Sequence, residues 1–180
     1  MKWNRTLLIL GIIAAQTAGN VGAQNRPGVP RYVCNTGYTQ QECDREIAIL
    51  KEVLAKYPVA KLGEWTWVLV QTDEWRTILQ TRGLNANSPA FTYFAKRQTF
   101  LDQALLLKAS VRGSTLSETW QLGIEDLLDL AVRHELAHGL CGCLDEYKAD
   151  QITRSLHDRK AKNRSMELAE LRFGQIHQAR

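Results

Sequence analysis

The residues best placed for chemistry are His134-Glu135-Leu136-Ala137-His138. Histidines four apart on a helix point the same way, one turn above the other. Two imidazoles so placed can grip one zinc ion, each at about 2.0–2.1 Å. Glu135 lies beside that face rather than on it, where its carboxylate can reach a water held by the metal. Zinc lowers the pKa of such a water, and the carboxylate can take its proton and pass it to a leaving amine. The neighbours Ala131-Val132, Leu136-Ala137 and Gly139-Leu140 are uncharged, and proline is absent, as a buried helix requires. The bland alternative is a pair of fold histidines that bind no metal.

Over residues 131–150 the chain resembles the zincin metallopeptidases. The metzincin branch would want Gly and His at positions 141 and 144, which here are Cys141 and Leu144. Asp145-Glu146-Tyr147-Lys148-Ala149-Asp150 instead is similar to the Glu-x-x-x-Asp element of gluzincins. The resemblance implies Glu146 as third zinc ligand and Asp150 as an acceptor orienting a ligand histidine. It also implies one zinc per chain, Glu135 as general base and acid, and a peptide or protein substrate laid along an edge strand. Ala90 to Leu101 is the candidate for that strand. Gluzincins usually insert a longer stretch than residues 139–145 between the second histidine and the glutamate. The short link requires the helix to stop at the glycines 139–142, so that Glu146 opens a second helix close by.

Other assignments compete at these positions. Asp145 and His157 are alternative third ligands. His157 also falls at helical spacing from Glu146, Asp150 and Thr153, which would let it stabilise an oxyanion or leave it as a surface histidine. Tyr147 is either an electrophile near the metal or a packing residue, and His177 reads as exposed.

These groups need elements to position them. Ile47, Leu50, Val53 and Leu54 recur at helical spacing between Thr39 and Tyr57, and Pro58 stops the helix. Trp65 to Val70 reads as a strand, residues 83–89 as a loop, and Phe91–Phe94 and Thr99–Leu101 as strand pieces with a turn between them. Thr115 or Ser117 can cap one long helix carrying Trp120, Ile124, Leu127, Leu128 and Ala131 through to His138. Asp145 suits the N-cap of the next helix, and residues 165–177 carry a further helical pattern. The expected fold is α+β and zincin-like, mainly helical, with a small mixed sheet and a long active-site helix.

Residues 1–23 read as a signal peptide: Lys2 and Arg5, then an apolar run from Leu7 to Ala15, then small residues ending at Ala23. An uncleaved anchor is the alternative, although nine apolar residues are few for a bilayer. Residues 24–38 then form an extended arm and 39–180 one domain, a size within the usual range. The expected product is a periplasmic or secreted monomer with no membrane span. Without Lys2 and Arg5 the formal net charge falls from +4 to +2, too weak to argue for nucleic acid.

Cys34, Cys43, Cys141 and Cys143 allow three pairings in an oxidising compartment. A bridge within Cys141-Gly142-Cys143 closes a tight ring, which favours two bridges from the N-terminal segment to the one after His138. Thiolate ligation of metal by Cys141 and Cys143 would instead need reducing surroundings. The function expected is an exported zinc peptidase. The alternatives are a zinc-stapled or metal-free protein-binding module, and a zinc hydrolase acting on another bond.

Overall fold

A computed structural model describes residues 28–158. The signal-peptide assignment, the start of the arm, the helical pattern of residues 165–177 and His177 lie outside them.

The first strand, β1 (Arg31–Cys34), leads into helix α1 (Gln40–Leu54). Thr39 caps α1 reciprocally: its hydroxyl accepts from the Glu42 amide, and the Glu42 carboxylate accepts from the Thr39 amide at 3.0 Å. One face of α1 buries Leu50, Val53 and Leu54. Strand β2 (Thr66–Val70), helix α2 (Thr72–Thr81), strand β3 (Ala90–Tyr93) and strand β4 (Gln98–Asp102) follow. A single turn of 3-10 helix (Phe94–Lys96) and Arg97 in the left-handed region (φ 54°) reverse the chain between β3 and β4.

The sheet runs β1-β2-β4-β3, with β1, β2 and β4 parallel and β3 antiparallel at one edge. Its two faces separate two cores, because strand side chains alternate. Trp67, Leu69 and Leu101 face α1 and the helices that follow β4. Val68, Val70, Phe91 and Phe100 face Trp75 and Leu79 of α2. The architecture is therefore α+β, with helices on both faces of a small mixed sheet.

The single long helix expected from residue 115 onward is two helices. Ser110 caps α3 (Val111–Trp120), its hydroxyl accepting from the Gly113 amide at 2.9 Å. Gln121 then turns into the left-handed region (φ 53°), and Gly123 starts α4 (Ile124–Cys141). Helical periodicity runs through this break without a visible change of phase, so the pattern hides it. Within α4, Leu127, Leu128, Val132 and Leu136 are buried against the inner face.

Residues 146–158 form a fifth helix, α5. Buried polar groups tie it to the rest. Tyr57 donates to Asp129 at 2.6 Å, and Arg133 donates to the same carboxylate at 3.0 Å and to the Thr153 carbonyl at 3.4 Å. One network thus joins the turn after α1, the middle of α4 and the body of α5. No helix among the described residues is long and apolar enough to cross a membrane.

The cysteine pairing differs from the expected one. The bridges are Cys34–Cys43 and Cys141–Cys143, with Cα atoms 5.9 and 5.2 Å apart. Both separations are ordinary for disulfides. The local pair is possible because Gly142 sits in the left-handed region (φ 60°) and folds residue 143 back toward 141. Two bridges fit an oxidising compartment.

Candidate metal centre and cleft

Helix α4 places His134 and His138 one turn apart near its C-terminal end. Its last turn closes at Gly142, whose amide donates to the His138 carbonyl at 2.9 Å. The chain reverses over residues 142–145. Asp145 then caps α5, its Oδ1 accepting from the Lys148 amide at 3.1 Å. Glu146 consequently stands in the first turn of α5, beside the end of α4.

Three atoms converge there. Nε2 of His134 lies 3.1 Å from Nε2 of His138 and 3.1 Å from Oε2 of Glu146, and the Glu146 oxygen lies 3.5 Å from Nε2 of His138. Tetrahedral zinc with bonds of this length class separates its ligand atoms by about 3.3 Å. The spacing matches, and the group could hold a metal ion.

The other ring nitrogens determine what the converging atoms are. Nδ1 of His138 lies 2.9 Å from the Cys143 carbonyl, and Nδ1 of His134 lies 3.3 Å from Oδ1 of Asp150. A carbonyl only accepts, so Nδ1 of His138 carries the proton in the neutral imidazole and its Nε2 presents a lone pair. With the His134 proton likewise on Nδ1, toward Asp150, the three converging atoms are all acceptors, and a cation at their centre satisfies them.

Comparison of the chain with protein-family models, curated proteins and solved structures returned no match.

Glu135 points to the same cleft and is 7% exposed. Its Oε2 is buried, with no hydrogen-bond partner among the described residues. Burial pushes its carboxyl above the usual carboxylate range, while the Thr92 hydroxyl and the two histidines pull the other way. Thr92 belongs to β3, and its hydroxyl also meets that of Thr99 on β4 at 3.0 Å.

The cleft itself, about 550 Å³, has α4 as one wall and β3 as the other. Leu84, Trp120, Leu127 and Leu130 make its apolar part, and His134, Glu135 and Glu146 the polar end. Of the segment Ala90 to Leu101, only β3 is an edge strand; β4 is paired on both sides, with β2 and β3.

The remaining candidates are elsewhere. Asp145 is used as a helix cap. His157 lies near Asp158 (3.6 Å) in a separate hollow with Arg133 and Arg154, so it does not join the cluster. Tyr147 is 73% exposed, which rules out core packing. Sequence reasoning did not find the Cys143 carbonyl as partner of His138, since any residue type supplies a carbonyl. The edge of Phe94 packed on the His138 ring, centroids 6.3 Å apart, was also missed. Its aromatic side chain, within the candidate edge strand, was the available signal.

Proposed function

We propose that this chain is an exported zinc peptidase of the zincin kind, with His134, His138 and Glu146 as metal ligands. The observation that supports this most is the convergence of three potential ligand atoms at 3.1–3.5 Å, with Nδ1 of His138 bound from behind by the Cys143 carbonyl. The donor set, two imidazoles and one carboxylate, is that of a catalytic zinc site with a position left open; structural sites are normally closed by four protein ligands. Zinc in this group would supply Lewis acidity, lowering the pKa of a water and polarising a carbonyl.

The protein's own groups do the rest. Asp150 and the Cys143 carbonyl keep both imidazoles in the tautomer that offers Nε2 to the metal. Glu135, adjacent to His134 and turned into the cleft, accepts the proton of the attacking water and returns it to the leaving nitrogen. Its unpartnered Oε2 is free for that exchange. The unpaired edge of β3 binds an extended peptide by backbone hydrogen bonds, which holds the scissile carbonyl between Glu135 and the metal group.

The test is digestion of an unfolded, alkylated protein by the purified chain. Fragments should appear, stop after treatment with a chelator and return on adding zinc. Absence of cleavage by zinc-loaded protein across such substrates would contradict the reading, as would cleavage indifferent to the chelator.

A further inference from the structure

Residues 142–144 are the whole link between the helix of the two histidines, which ends at Cys141, and Asp145, the cap of the helix that carries Glu146. This link holds His138 twice. Its ring is bound through Nδ1 to the Cys143 carbonyl at 2.9 Å. Its backbone carbonyl accepts from the Gly142 amide at 2.9 Å and from the Cys143 amide at 3.4 Å. The Cys141–Cys143 disulfide closes this segment into a ring. Little else secures it: Leu144 is 77% exposed, and the described hydrogen bonds of Asp145 stay within residues 145–149. Both cysteines are partly exposed, so a thiolate can reach the bridge. The other bridge, Cys34–Cys43, joins the end of β1 to the first turn of α1 and touches none of the site residues.

We propose that the Cys141–Cys143 disulfide is a redox-operated lock on the metal centre, closed when oxidised and opened by a dithiol reductant. The inference rests on the metal-site reading above and adds its regulation. One reductant thiolate attacks a bridge sulfur to give a mixed disulfide and a protein thiolate. The reductant's second thiol then attacks the mixed disulfide and expels the other cysteine sulfur, so the reductant leaves as a cyclic disulfide and Cys141 and Cys143 remain as thiols. Two electrons and two protons have then passed to the protein. The opened link no longer fixes the Cys143 carbonyl behind His138 or the approach of Glu146, and metal affinity falls. Loss of an outer partner of a ligand histidine typically costs about 10–100-fold in affinity.

The experiment is zinc affinity by competition with a chromophoric chelator. It compares the oxidised wild type, Cys141→Ala/Cys143→Ala and Cys34→Ala/Cys43→Ala. Alanine keeps freed thiols from acting as substitute ligands. The 141/143 pair should bind zinc about 10–100-fold more weakly, with an altered visible spectrum of the cobalt form. The 34/43 pair should bind like the wild type, even if it melts earlier. In that second background, reduction followed by removal of reductant should lower affinity, and reoxidation should restore it. Wild-type affinity in the 141/143 pair, or no response to reduction in the 34/43 background, overturns the lock while leaving the metal site standing. A wild-type chain that takes up no zinc overturns both.

Discussion

Glu135→Gln is expected to bind zinc as the wild type does and to hydrolyse peptides about 10²–10⁴-fold more slowly, the usual contribution of a positioned general base. The glutamine side chain has nearly the same shape, so a residue with 7% exposure keeps its packing. Glu135 is also absent from the converging group, whose members are His134, His138 and Glu146. What the substitution removes is a cleft oxygen that is buried, acceptor-only when ionised and without a partner among the described residues. A fall in kcat with zinc content unchanged is therefore the signature. Turnover equal to the wild type at full zinc loading would remove Glu135 from the mechanism.

Glu146→Ala should act on the other side of this division, on metal retention. The carboxylate is the only anionic member of the group, and Oε2 stands within 3.5 Å of both imidazole nitrogens. Without it two neutral nitrogens remain, 3.1 Å apart. One shared proton can satisfy those two without a metal. The loss in zinc affinity should exceed the roughly 10–100-fold that removal of an outer partner causes. Because Glu146 is 73% exposed, the fold should survive, and the melting temperature of the metal-free protein should barely move. Competition titration with a chelator measures the affinity. An unchanged dissociation constant would take Glu146 off the ligand list.

Much of this arrangement is legible in the residues themselves. The helix periodicities of α1 and α4 and the β-branched and aromatic run of β2 mark their elements, and Asp145 marks the start of α5. The spacing of His134, His138, Glu146 and Asp150 anticipates the cluster because helix geometry fixes two pairs, 134 with 138 and 146 with 150, once the chain reverses at Gly142. Helix α2 escaped notice: its ten residues carry Trp75, Ile78 and Leu79 among polar neighbours, too short a pattern to stand out beside the strands around it. The break at Gln121 was hidden because α3 and α4 have compatible phases. The tight ring of Cys141-Gly142-Cys143 argued against the local bridge that the structure contains. Glycine in the left-handed region changes the direction of the chain there, which brings the two cysteines together and puts the Cys143 carbonyl behind His138. That contact depends on a backbone dihedral and carries no side-chain signal.

The central claim is that His134, His138 and Glu146 form a zinc centre, and metal analysis of the oxidised chain, purified without added metal, tests it most directly. The account predicts about one zinc per chain, lost in His138→Ala. A protein that carries no zinc and takes up none on titration would contradict it, and would leave the converging side chains as a hydrogen-bonded feature of the fold.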